Sequence, residues 1–145
     1  MHKGAIKMNR FRKIMTEKKY EKLEKMVHFS DRYLDKDGKP ELAKIRAIRP
    51  SEQAEYQDNM TSSDKKGRNF KVKTGTYQMD VILNHTIEPD FRDADWLAAE
   101  GLGTPESLVD KYLDVGEATT LFNEIQKLSG LREEDEIDVV KEVKN

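Results

Sequence analysis

Three histidines, a cluster of aspartates, an acidic turn and a few glycine-bearing stretches are the parts of this chain with the means to do chemistry. His2, His28 and His85 lie far apart, and none has metal-ligand spacing. His85 and Glu88 share a helical face, but two ligands do not make a metal site, and an ordinary polar helix position is the better reading. Asp35 and Asp37 sit in "DKDG". Fitted to a calcium loop, they would put Tyr33 at the first ligand position and Lys44 at the last, where a Glu is required. The stretch therefore reads as a turn. "GRNFKVKT" places Val72 where a phosphate loop needs Gly before its Lys. "GLG" at Gly101–Gly103 lacks a third glycine and follows a helix. Asp90, Asp93 and Asp95 gather in "PDFRDAD", where an Asp after a helix-ending Pro caps the next helix. The chain has no cysteine, so disulfides, thiolate metal sites and thiol catalysis are excluded. No serine stands in a His–Asp pattern. The expectation is a protein with no catalytic residue, no metal and no cofactor.

The basic segment "KKGRNFKVK", residues 65–73, carries Phe70 among five Lys/Arg and is the best nucleic-acid candidate. The competing reading is a solvated loop and an edge strand guarded by lysines. A sequence pI near 6.0 favours the latter. A small nucleic-acid-binding regulator, using this segment and the basic N-terminal arm, is the alternative function.

These residues need elements to hold them, and 145 residues suit one ordinary domain. Charged residues at 37% outnumber apolar ones at 36%, so the core is lean. No stretch approaches the roughly 20 apolar residues of a membrane span, and the start has no apolar region of a secretory signal. Charge is uneven. Residues 1–26 hold nine Lys/Arg against three Glu, while residues 88–117 hold nine acids against two bases. That asymmetry points to a charged partner or to self-association.

Residues 1–24 read as a basic, partly disordered or helical arm with Phe11, Ile14, Met15 and Leu23 as a thin stripe. Residues 25–145 read as a single domain. In "VHFSDRYLDKDGKPELAKIRAI" two alternating runs flank a turn. Val27, Phe29 and Tyr33 are odd-numbered, as are Ala43, Ile45 and Ala47. A two-residue Asp37–Gly38 turn would set odd residues against even ones and split these sets between faces. A three-residue loop, Lys36–Gly38, keeps them together. It pairs Leu34 with Pro40 and Val27 with Ala47, with Gly38 left-handed in a G1 bulge. Pro50 suits a first helical turn and Ser51 a cap. "TSSDKKGRN" reads as a loop and "FKVK" as a short strand extending the hairpin.

"TYQMDVILNHTIEPD" predicts a helix whose face holds Met79, Ile82, Leu83 and Ile87, ended by Pro89. A short helix follows, stopped by Gly101 or Gly103. The next has Thr104 as N-cap and Pro105 in first position. Asp114 and Glu117 then form a capping box. Val115, Ala118, Leu121, Phe122, Ile125 and Leu128 give that helix its apolar face, and Gly130 stops it. A last helix over 132–144 carries Ile137 and Val140. The order predicts an α+β fold: an N-terminal β-hairpin or small antiparallel sheet, followed by a mainly α-helical bundle packing on it.

Four stretches, in order, resemble the XkdN-like family of phage tail assembly chaperones, found in phages and prophages of Gram-positive bacteria. "SDRYLDKDGKPELAKIRAI" is similar to the family's Ser-x-Arg-aromatic strand, Asp-Gly-Lys-Pro turn and Ile-Arg-Ala-Ile strand. "EPDFRDADW" resembles its Pro-Asp-hydrophobic-x-Asp-Ala segment. "LVDKYLDVGEATTLFNEIQKLSGL" resembles its Leu-x-x-Gly-Glu helix, and the acidic end closes on "KN". The resemblance covers about residues 25–145; Met1–Lys7 precede "MNRF", which looks like a more usual start. It implies a non-catalytic protein of the host cytosol, absent from the finished virion. Such a protein binds the tape measure protein, keeps it soluble and helps bring tail tube subunits onto it. It also implies a C-terminal end where a frameshifted longer product would diverge. A chaperone of this kind needs an apolar groove rimmed by charge, and association with further copies of itself is compatible with that role. Met79, Ile82, Leu83, Leu121, Phe122, Ile125, Ile137 and Val140 are the candidate partner-binding residues. The competing reading of the same faces is core packing on the hairpin.

Overall fold

The computed structural model describes residues 9–18, 23–61 and 74–132. Six helices and three strands occupy them. Helix α1 is Arg10–Lys18, followed by strands β1 (Glu24–His28) and β2 (Leu42–Arg46). Helices α2 (Pro50–Thr61) and α3 (Thr74–His85) lead into β3 (Thr86–Glu88). Helices α4 (Ala94–Glu100), α5 (Pro105–Tyr112) and α6 (Val115–Leu128) complete the body. The fold is α+β, as its order of elements predicts.

The sheet is antiparallel in the order β1-β2-β3. Its odd-numbered residues Val27, Ala43 and Ile45 are buried, and its even-numbered Met26 and Leu42 are exposed. The parity argument therefore selects the right face. At the hairpin tip the predicted loop is present. Leu34 bridges Pro40, Gly38 N–H donates to the Asp35 carbonyl at 3.1 Å, and Asp35 N–H donates to Lys39 at 2.7 Å. Gly38 has φ of 80°, the left-handed region a glycine enters without a Cβ penalty. The Asp35 carboxylate accepts from the Asp37 and Lys39 amides at 2.8 and 3.0 Å, holding the turn together.

The register does not continue from tip to strands. Val27 faces Ala43 rather than Ala47. Residues 29–33 leave the ladder and face only Glu41 between the paired strands and the tip. The polar side chains of this segment are drawn away from the sheet to the start of α6, which accounts for the shift.

A second departure concerns the helix expected over "TYQMDVILNHTIEPD", from Thr76 to its stop at Pro89. It ends at His85, and Thr86–Glu88 pair with β2 as the third strand. Ile87 is therefore on a strand and not on the helical face. Thr86 and Ile87 are β-branched, and a residue before proline is pushed out of the helical region. With the open edge of β2 beside them, the extended conformation wins. The predicted third strand, "FKVK", and the loop before it lie outside the described residues, as does the helix over 132–144 apart from Arg132.

Local caps set the helix starts. Asp93 accepts from the Asp95 and Trp96 amides, and Thr104 from that of Ser107, with Pro105 at the first position. Asp114 and Glu117 form the expected reciprocal box. Gly101 and Gly130 take positive φ after α4 and α6. At α2 the cap is Arg49 rather than Ser51. The Arg49 carbonyl accepts from Gln53 N–H at 3.0 Å, and Glu52 Oε1 accepts the Arg49 amide at 2.9 Å. Ser51 is an exposed residue inside the first turn.

One core joins the layers. Val27, Ala43 and Ile45 meet Val81, Ile82 and Leu83 of α3, Leu108 and Val109 of α5, and Leu121 and Ile125 of α6. Helix α6 packs on α3 and on both strands of the hairpin. Val115, expected on its apolar face, is 83% exposed. It occupies the first helical position, before the stripe turns inward.

Candidate functional site

The Ser-x-Arg-aromatic segment and the Gly-Glu pair meet in space. Ser30 Oγ donates to Glu117 Oε2 in a buried contact. Arg32 Nε and Nη2 donate to the two oxygens of the same carboxylate at 2.9 and 2.6 Å. Arg32 Nη2 also donates to the Tyr112 carbonyl at 2.9 Å, and the Tyr33 hydroxyl donates to that same oxygen. Glu117 is buried. The Arg32 hydrogen bonds hold its carboxyl down at about 2, against the burial that pushes it up. A paired guanidinium fork is the geometry that makes a buried carboxylate tolerable. This clamp fixes residues 29–33 against the α5–α6 junction and so builds one wall of a groove.

The groove lies where the hairpin meets α4 and α5, with a volume of about 400 Å³. The hairpin gives Phe29, Tyr33 and Leu42; the segment after β3 gives Pro89 and Phe91; α4 gives Trp96; and the end of α5 gives Tyr112 and Leu113. Its rings support one another. Phe29 and Tyr33 stack with centroids 6.3 Å apart, Phe91 and Trp96 at 6.0 Å, and Trp96 and Tyr112 at 5.6 Å. Phe91 is buried as the floor, while Tyr33, Trp96 and Tyr112 are half-buried. The Tyr112 hydroxyl and Lys111 both bond Glu100, holding that carboxyl below its usual range. Among the described residues, the ionisable acids lining the groove are Glu41 and Glu88, and no Lys or Arg lines it. A concave apolar surface with a few acids suits an apolar or amphipathic segment of another chain.

The predicted partner-binding residues lie elsewhere. Ile82, Leu83, Leu121 and Ile125 are buried in the core. Met79 and Phe122 are half-buried against that core. Ile137 and Val140 lie outside the described residues. None of the six described positions lines the groove. The groove residues come from three separate stretches and have no helical stripe. The legible signal was the aromatic content of "SDRY", "DFRDADW" and "DKYL".

His85 departs from its reading as a polar helix position. It is fully buried, and its Nε2 is 2.8 Å from the Tyr56 hydroxyl. Asn84 Nδ2 donates to that hydroxyl at 3.0 Å, and Arg92 donates to Asn84 Oδ1 at 2.7 Å. Burial, helped by Arg46, pushes the His85 imidazole down to about 4. It stands in the core as a neutral ring. Among the described residues no three His, Asp or Glu side chains gather as a metal site would require, and no helix is long and apolar enough to cross a membrane.

Comparison with known proteins adds two findings. A family model described as phage XkdN-like tail assembly chaperone protein matches residues 11–144. The crystal structure of the protein YqbN is similar, with a TM-score of 0.61 and 20% sequence identity over 75% of this chain and 86% of that one. At that identity the likeness speaks for the fold alone. No curated protein sequence matches the chain.

Proposed function

The chain belongs to the phage XkdN-like tail assembly chaperone family, and from that premise we propose that its aromatic groove holds the protein it chaperones. That client is the tape measure protein, a long and mostly helical chain whose apolar faces are bare until the tail tube covers them. Holding those faces in the host cytosol keeps the client soluble while tube subunits assemble on it. The role needs no bond-making chemistry. It needs apolar area, shape and release, which a groove of half-buried rings supplies. Residues 25–145 act as the chaperone domain, with the basic arm of residues 1–24 as an appendage. The family match over residues 11–144 carries the reading, and the half-buried rings of the groove support that surface as the proposed seat.

Co-expression with the tape measure protein of the same phage or prophage tests the role. The client is expected in the soluble fraction with the native chain, and substantially less of it with Leu42→Glu. A client equally insoluble with and without the chain would sink the reading. Equal rescue by Leu42→Glu would move the site away from the groove.

A further inference from the structure

Helix α1 is a cohesive patch without a core. None of its side chains is buried. Phe11, Ile14 and Met15 are 54%, 50% and 66% exposed. They lie three and four residues apart along one helical face, so they form a single apolar stripe. Arg10, Arg12, Lys13 and Lys18 surround it against one acid, Glu17. The groove has the opposite character: apolar rings within and, among the described residues, Glu41 and Glu88 as its ionisable acids with no Lys or Arg in its lining.

We propose that α1 of one copy docks its Phe11–Ile14–Met15 stripe in the groove of a second copy, with its basic residues beside Glu41 and Glu88. Charge complementarity selects the occupant. Chain direction favours a second copy over the molecule's own groove. Glu24, the first residue of β1, pairs with Arg46, whereas His28 at the other end pairs with Leu42 beside the groove. Helix α1 thus joins the body at the end of the sheet away from the groove, and docking on its own molecule requires the chain to double back along β1. The contact is head-to-tail. Each docking leaves one α1 and one groove unused, so addition continues until a ring closes or a linear assembly ends. The inference rests on the groove being a docking surface. It adds that α1 and the client compete for it, so self-association stores the groove in a covered form.

Sedimentation velocity on the full chain over a range of concentrations and salt tests this. The expected result is a mean mass that rises with concentration and falls with added salt. Ile14→Glu breaks the helix stripe and Leu42→Glu breaks the groove, and both replace exposed side chains, so circular dichroism should show native folding. Each variant alone is expected to remain monomeric, and an equimolar mixture to form a one-to-one dimer that grows no further. A native chain that stays monomeric throughout would overturn the proposal. So would assembly that survives both substitutions, which would locate the contact on another face. A mixture that stays monomeric would also overturn it, and would favour docking within one molecule. Client solubility is read separately: a restored dimer with no client rescue retains self-association and removes the chaperone site, and the reverse pattern does the opposite.

Discussion

Glu117 does two jobs with one carboxylate. Its Oε1 accepts the Asp114 amide at 2.8 Å in the capping box, and both oxygens take the Arg32 fork. Arg32→Ala leaves a buried charge short of two hydrogen bonds, and chemical denaturation should register a lower midpoint. Acid should act twice on the native chain. The His85 ring, held at about 4, takes up its proton more readily when unfolded, near the ordinary 6.5. Its contribution is complete above that value and is lost as pH falls towards 4. Glu117, held at about 2, contributes fully above the ordinary carboxylate range and loses that contribution on the way down to 2. Thermal melts should therefore weaken first below about pH 6.5 and again below about pH 4.5. His85→Gln should remove the upper limb and spare the lower one. The sequence displayed Arg32 and Glu117 as parts of separate motifs. Their meeting was not legible, because 85 residues separate them and no local pattern encodes the contact. The burial of His85 is hidden for the same reason: its helix is legible, while Tyr56 and the strands are remote in sequence.

Elements divide by whether their causes are local. Caps at Asp93, Thr104 and Asp114 and the left-handed Gly38 turn could be read directly, since each rests on residues within four positions of one another. Asp114→Ala should cost about 1 kcal/mol by loss of its cap. Gly38→Ala should cost about 1 kcal/mol through the left-handed backbone alone; its Cβ would meet nothing within 4 Å. Both are measurable as shifts of a denaturation midpoint. Helix α6 offers an internal control. Val115→Glu at its exposed first turn should change stability by a few tenths of a kcal/mol, in the stabilising direction, by complementing the helix dipole. Leu121→Ala should cost about 2–5 kcal/mol. The third strand was not legible, because three residues with Pro89 beyond them become a strand only where β2 presents an open edge. The groove was hidden more deeply still. Its rings come from a bulged hairpin segment, a loop and two helix ends, and periodicity reports none of these.

At the scale of the molecule, the clamp and the shared core tie the hairpin to the last described helix. Unfolding should accordingly be one cooperative event. Trp96 is the chain's single tryptophan and sits in the groove. Its fluorescence and the far-ultraviolet circular dichroism should thus give coincident midpoints in urea, and separate midpoints would show the groove opening before the body. The same tie has a consequence for how the protein is made. The hairpin emerges from the ribosome early, with Ser30 and Arg32 ready, but their carboxylate is encoded 87 and 85 residues later. Until that residue is translated, the groove has no fixed wall, although the third strand, Thr86–Glu88, has already been made. A nascent chain thus lacks the finished groove for most of its synthesis. It completes that groove late, when α6 closes on the hairpin.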